Sequence, residues 1–302
     1  MVEEKKRSLS VDIGGSITEF QAVMKEFLLR NKLYKILIRG KGLEFESFRN
    51  YAPDDDATAI DWKASKRANT LLVKQYREER NLKIVFIVDM SENMVFGSTQ
   101  KLKCEYAAEV VASFAHLIIT SGDKAGLIVF SDYVRDYLKP GGGLKHFHRL
   151  VSLLTNPFNY GKYSNLHKAF DFAINYLHKD IISVVIVSDF INFNEALVKP
   201  LSLIANKFET VALMIRDPLD VTLPQVSGEV VVEDSRTGQQ LLINPKIAKE
   251  AYEQIARQRE RIIREECLKH NVDLLEMMTD HKFVPTLSAF LKGRVKKVVY
   301  KK

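Results

Sequence analysis

The stretch Lys83–Met94, KIVFIVDMSENM, narrows the choice of fold more than any other in the chain. Ile84, Val85, Phe86, Ile87 and Val88 form an unbroken apolar run. A strand with one wet face alternates, so this one reads as buried on both faces, the mark of a central strand in a parallel sheet. The run stops at Asp89, and Ser91 and Asn93 follow at alternate positions. Open α/β sheets place their ligand sites at the carboxyl ends of such strands. One carboxylate and two neutral side-chain oxygens suit a hard divalent cation such as Mg²⁺, which takes oxygen ligands and keeps some of its waters.

The rest of the chain is consistent with that strand. Ile181–Val187 is a second apolar run, ending on Ser188 and Asp189, and Thr210–Ile215 is a third. Between the first two runs the pattern predicts a helix at Lys101–Thr120, a strand at Ala125–Phe130 and a short edge strand at Tyr133–Leu138. Helices are expected at Phe147–Thr155, Leu166–His178 and Asn194–Asn206. Alternation of this kind predicts a Rossmann-type α/β fold, a mostly parallel sheet flanked by helices. Two buried strands ending on Asp89 and Asp189 bring both acids to one edge.

Upstream, residues 1–14 read as a frayed end. A helix at Glu19–Leu33 capped by Thr18 and a strand at Tyr34–Ile38 come next, then a polar arm at Arg39–Arg67 and a strand at Leu71–Tyr76. The arm reads either as a wrapped segment held by pairs of Arg49 or Arg67 with Asp55, Asp56 or Asp61, or as a cation site. Downstream, Val230–Val232 and Gln240–Ile243 suggest a hairpin turning near Thr237-Gly238. A long helix at Lys246–Lys269, a strand at Val272–Met277 and a short helix at Pro285–Leu291 complete the pattern. The division expected is 1–80 for helix and arm, 81–216 for the core, and 217–302 for the extension that completes the fold.

Composition removes some classes of function. No apolar run reaches the ~20 residues needed to span a bilayer, and MVEEKKRSLS lacks a secretory apolar region, so a cytoplasmic protein is expected. Cys104 and Cys267 lie too far apart in sequence to suggest a zinc site, and a reducing compartment fits them. The net charge of +7 leaves nucleic acid open as a partner of the helix Lys246–Lys269. That helix, however, interleaves its arginines with Glu250, Glu253, Glu260, Glu265 and Glu266, which reads as intrahelical pairing. A Mg²⁺-dependent hydrolase is the other alternative, with His146, His148 and His167 as candidate bases. No Gly-x-Ser-x-Gly elbow, Walker loop or paired zinc-binding histidines accompany them.

DMSEN before a helix, YSNL opening a later helix and IVSDF ending a strand together resemble the metal-ion-dependent adhesion site of von Willebrand factor A domains. By that resemblance Asp89, Ser91 and Asn93 stand for the Asp-x-Ser-x-Ser motif, Ser164 for the second-loop threonine and Asp189 for the third-loop acid. The arm is more specific still. Gly40, Gly42, Glu44 and Phe45, then Arg49 and Tyr51, then Asp55, Asp56, Ile60, Asp61 and Trp62 resemble the hallmark of a prokaryotic family known as domain of unknown function fifty-eight. Leu223-Pro224, the turn Asp234–Gly238, Asp273 and Thr279 fit its tail. The resemblance implies a von Willebrand A-like domain that binds Mg²⁺ or Mn²⁺ and captures an acidic protein ligand. It also implies an adaptor or cochaperone role beside a MoxR-type AAA+ ATPase. Three positions depart from the pattern: Asn93 replaces serine, Ser164 replaces threonine, and Asp54 replaces glycine. The longer Asn93 side chain requires the ion to shift or take a water, or else leaves a vestigial site without metal.

Overall fold

A computed structural model describes residues 9–30, 45–52, 60–76, 82–226, 228–233 and 239–299. The central sheet has six strands: β3 (Lys83–Asp89), β4 (Lys124–Phe130), β5 (Val134–Gly141), β6 (Ser183–Ser188), β7 (Glu209–Arg216) and β10 (Asp273–Met278). Their order across the sheet is β10-β7-β6-β3-β4-β5, and only β5 runs antiparallel to its neighbour. From β3 the chain steps outward to β4 and β5, then crosses back to β6 on the other side of β3. The winding therefore reverses between β3 and β6, and in open α/β sheets a ligand crevice opens at such a reversal.

The alternation along β3 explains its apolar run. Ile84, Phe86 and Val88 enter one core, while Val85 and Ile87 enter the other. The first core is closed by α1 (Ile13–Arg30), α3 (Lys103–Thr120), α4 (Leu144–Thr155) and α9 (Phe283–Val299). On the opposite face α5 (Leu166–Tyr176), α6 (Glu195–Lys207) and α8 (Pro245–Lys269) close the second. Each of the five β3 side chains is at most 1 % exposed. Burial of such a side chain stabilises by about 1.5–3 kcal/mol, so this strand anchors both layers.

Outside the sheet, β1 (Phe45–Asn50) pairs antiparallel with β2 (Leu72–Tyr76), and α2 (Trp62–Ala68) lies between them in sequence. A second hairpin, formed by β8 (Val230–Glu233) and β9 (Gln240–Ile243), follows the short helix α7 (Pro218–Val221). Among the described residues no helix is long and apolar enough to cross a membrane.

Several sequence expectations need correction. The first helix starts at Ile13, not Glu19, because Asp12 Oδ1 caps it by accepting from the Gly15 amide at 2.9 Å. Thr18 is therefore inside the helix, its hydroxyl donating to the Gly14 carbonyl. Residues 9–14 are not frayed. Glu105 and Glu109, both buried in α3, accept from the backbone amides of Ser10 (2.5 Å) and Asp12 (2.7 Å). The last helix runs over Phe283–Val299, so Pro285 lies in its first turn, where a missing N–H costs nothing. The strand expected at Tyr34–Ile38 and the turn at Thr237-Gly238 lie outside the described residues.

Candidate functional site

Asp89 is the last residue of β3, and it is fully buried. Its Oδ1 accepts from the Ser91 amide at 2.9 Å, and its Oδ2 accepts from the hydroxyls of Ser164 and Ser188, both at 2.7 Å. Burial and the nearby charge of Asp189 push the Asp89 carboxyl up to about 6, against the pull of those three hydrogen bonds. Ser164 reaches this position because its loop is stitched to the first motif. The Gly161 amide donates to the Met90 carbonyl at 2.9 Å, and the Glu92 amide to the Lys162 carbonyl at 2.8 Å.

On the neighbouring strand, Ser188 ends β6 and Asp189 follows it. The chain then turns through Phe190, whose φ of 54° is left-handed, a rare conformation for an aromatic residue. This turn lets the Phe190 amide donate to Ser188 Oγ and the Ile191 amide to Asp189 Oδ1, both at 3.1 Å. The structure thus brings Asp89, Ser91, Ser164 and Asp189 together in a buried cluster at the point where the winding reverses. Asn93 is half-buried in the short turn Glu92–Val95. It lines an open cleft of about 1000 Å³ whose walls also include Phe96, Lys162, Tyr163 and Leu241 of β9.

One atom in the cluster lacks a partner among the described residues: the hydroxyl of Ser91, a residue with no exposed surface, makes no hydrogen bond to them. Buried polar groups are almost always bonded, so an orphan invites a ligand. With hydroxyls and carboxylates as its donors, the cluster fits a hard oxygen-seeking ion such as Mg²⁺ or Mn²⁺. It lacks the nitrogen and sulfur donors of a typical zinc centre. Among the described residues there is no group of three or more His, Cys, Asp and Glu side chains poised to hold a metal.

Sequence reasoning passed over Lys103, Asp217 and Asp220. Lys103 is 1 % exposed, and its Nζ lies 2.9 Å from Asp189 Oδ2 and 3.0 Å from Asp220 Oδ2. Burial works against the ammonium, but the two carboxylates outweigh it and hold its pKa above the ordinary lysine value. Asp217, also fully buried, accepts from the Ser98 amide (2.8 Å) and hydroxyl (2.5 Å), the Leu219 amide (2.9 Å) and the Thr279 hydroxyl (3.1 Å). It ties the loop before α3 to the ends of β7 and β10. Gly97 makes that loop possible, since a Cβ there would meet the Lys101 carbonyl oxygen at 2.7 Å. The signal for Lys103 was a lone cation on a helix face it shares with Ala107, Val110 and Phe114, all buried.

The histidines do not converge on the cluster. His146 Nε2 is 2.7 Å from the carbonyl of Ala125 at the amino end of β4, the opposite end of the sheet. His148 lies two residues on in α4, beside the Phe147 ring, and His167 Nδ1 pairs with Asp171 at 2.9 Å. In the arm, Asp61 caps α2 by accepting from the amides of Lys63 and Ala64, and Trp62 is 68 % exposed. Phe45 and Arg49 lie on β1, and Tyr51 follows it, its amide bonded to the Leu71 carbonyl. Gly40, Gly42, Glu44, Asp55 and Asp56 lie outside the described residues.

A family model described as "Protein of unknown function DUF58" matches residues 47–262. The chain belongs to the DUF58 family. Among curated relatives, this DUF58 chain is 31 % identical over 207 residues to the uncharacterized protein Rv1480 of Mycobacterium tuberculosis, a match covering 67 % of this chain and 63 % of the relative. The same figures hold for the uncharacterized protein Mb1516 of Mycobacterium bovis. The DUF58 chain thus spans a little under two thirds of these relatives' length.

Solved structures that match the chain include the following two. Against BatB, a conserved hypothetical protein from Bacteroides thetaiotaomicron, the TM-score is 0.44 at 13 % identity, covering 72 % of this chain and 100 % of that one. Against the VWA domain of SpRpn10 it is 0.41 at 12 % identity, covering 70 % and 95 %. The DUF58 chain has a mixed α/β fold, a mostly parallel six-stranded sheet flanked by helices.

Proposed function

We propose that this DUF58 protein is a non-enzymatic, metal-dependent protein-interaction module. In this reading it is a cytoplasmic adaptor or cochaperone that works with a MoxR-type AAA+ ATPase in protein assembly or maturation. The observation that carries the metal is the orphaned, buried Ser91 hydroxyl, in a cluster with the Ser164 and Ser188 hydroxyls that bond Asp89. Ser91 and Ser164 would present their oxygen lone pairs to Mg²⁺ or Mn²⁺. Asp89 fixes both of them, through the Ser91 amide and the Ser164 hydroxyl. Asp189 and the longer Asn93 amide would complete the set. The bound cation would supply an open, electrophilic coordination position for a partner's carboxylate.

The surroundings support a protein as the ligand. Phe96 is 43 % exposed, Tyr163 47 % and Leu241 65 %, all on the cleft wall, and exposed aromatic and aliphatic anchors of this kind dominate protein interfaces. Catalysis would need a base beside the metal, and His146 is bound at the far end of the sheet. Nucleic acid is disfavoured because α8 pairs its own charges, as in Arg264–Glu260 at 2.6 Å and Arg261–Glu265 at 3.5 Å. The ATPase partner rests on the family resemblance, and the cytoplasm on two cysteines that are both buried and unpaired.

The test is a calorimetric titration with Mg²⁺ and Mn²⁺, wild type beside Ser91→Ala. That hydroxyl has no partner to lose, so the variant should unfold at the wild-type temperature yet bind the ion at least tenfold more weakly. Equal binding by the two proteins would refute the site. For the partner, capture of the ATPase should be lost in chelator and in Asp189→Ala; capture unchanged in both rules out a metal bridge.

A further inference from the structure

Lys103 places a positive charge inside the very cluster that would receive a cation. It opens α3, the helix that packs between the sheet and α1, and all the surface it keeps is 1 %. Its Nζ contacts Asp189 Oδ2 at 2.9 Å and both Asp220 oxygens, at 3.0 and 3.3 Å, with the Phe96 ring centroid 5.7 Å away. The Ile191 amide already holds Asp189 Oδ1, so both oxygens of that carboxylate are engaged. Ser91 Oγ, in contrast, has no partner.

We propose that Lys103 is a resident competitor for the metal: its ammonium holds Asp189, and the site gains its full affinity when Asp189 passes from Lys103 to the ion while Asp220 retains the ammonium. This inference rests on the metal reading above. Two carboxylates serve one lysine, which makes the exchange feasible. A buried ammonium stripped of every partner is strongly unfavourable, and Asp220 prevents that state. Asp220 also accepts from the Asp217 amide at 2.8 Å and lines the cleft. Ion binding and the shape of the cleft wall therefore share one cation, so a partner that shifts the wall alters metal affinity, and the metal alters partner affinity by the same factor.

The decisive variant is Lys103→Met combined with Asp220→Asn. Lys103, Asp189 and Asp220 together carry one net negative charge, and so does the double variant, in which Asp189 alone is charged. A purely long-range charge effect would leave affinity unchanged. Competition predicts Mn²⁺ binding at least tenfold tighter than wild type by calorimetry, abolished by adding Asp89→Ala. Asp220→Asn alone, which keeps the lysine paired to Asp189, should bind at least threefold more weakly. Lys103→Gln with Asp220→Asn, which conserves the same net charge, carries the test if the first double variant does not fold. Wild-type binding with no gain in the double variant, or with a loss, overturns the competitor while leaving the metal site standing. A single variant that binds as well as wild type overturns it too. No Mn²⁺ binding by wild type or either variant overturns both readings.

Discussion

Asp217→Ala is expected to be the most destabilising single change near the site. The carboxylate has no exposed surface and accepts four hydrogen bonds from three segments far apart in sequence. Hydrogen bonds to a charged group contribute about 1.5–3 kcal/mol each, yet a sum of four would approach the ~5–15 kcal/mol that holds a whole domain, so they are not additive. The four donors are neutral, so the loss is that of buried N–H and O–H groups left unmet, about 1–3 kcal/mol each, and roughly 3–5 kcal/mol is expected in all. Ser98→Ala, which removes one of the four donors and keeps the Ser98 amide, should cost roughly 1–2 kcal/mol. The two changes should couple in a double-mutant cycle by more than about 1 kcal/mol. Urea unfolding measures both. The pH dependence carries a sign: burial raises the Asp217 pKa, but the bonds from Ser98, Leu219 and Thr279 outweigh it and hold the group below the ordinary 3.8. Its contribution is complete above pH ~4 and fades as pH falls through the depressed folded value. A loss under about 1 kcal/mol at pH 7 would show that water replaces the carboxylate, and the reasoning would fail.

Asp123 should behave oppositely. It is 2 % exposed, burial pushes its carboxyl up to about 6 against one bond from the Leu82 amide, and Oδ2 has no partner. The folded state then loses stability as pH rises from about 4 to 6, so Asp123→Asn should flatten that slope and stabilise at pH 8 by roughly 1–2 kcal/mol, read from urea midpoints. Glu109→Ala should raise amide hydrogen exchange over residues 10–16, because Glu109 bonds the Asp12 amide and the Ser16 hydroxyl; unchanged protection would refute the staple. Cys104 and Cys267 are buried, with thiols pushed up to about 12 chiefly by burial. Neither should react with an alkylating reagent at pH 8 until urea is added, when mass spectrometry should find both modified.

What could be read from the residues followed the range of the interactions. Strands β3, β6 and β7 were legible because burial on both faces leaves an apolar run that no half-wet strand shows. Helix ends were less so. Residues 1–14 read as a frayed end, yet the capping carboxylate of Asp12 and the distant Glu105 and Glu109 hold residues 10–15. Asp89, Ser91 and Asp189 could be placed at one edge because strand ends announce themselves, whereas Ser164 was found only through a family pattern. Lys103 escaped notice because its partners lie 86 and 117 residues away. A buried lysine also looks, in sequence, like any first-turn surface residue. The arm motif shows another limit: Asp61 proved to be a helix cap, a role its acidic neighbours obscured.

The order in which the layers close has a consequence for how the protein is made. Helix α1 leaves the ribosome before any strand of the sheet, yet Phe20 and Met24 are completely buried, and the Phe20 ring lies 6.4 Å from that of Phe283 in α9. Glu19 meets Lys282 at 3.2 Å across the same junction. Strand β10, the sixth of the sheet, is also translated only after the other five. During synthesis α1 can dock on α3 early, but its face toward Phe283 stays uncovered until α9 has emerged. Contacts this distant in sequence slow folding and expose the nascent chain to aggregation. A helix made before the sheet is thus fully covered only when α9 arrives.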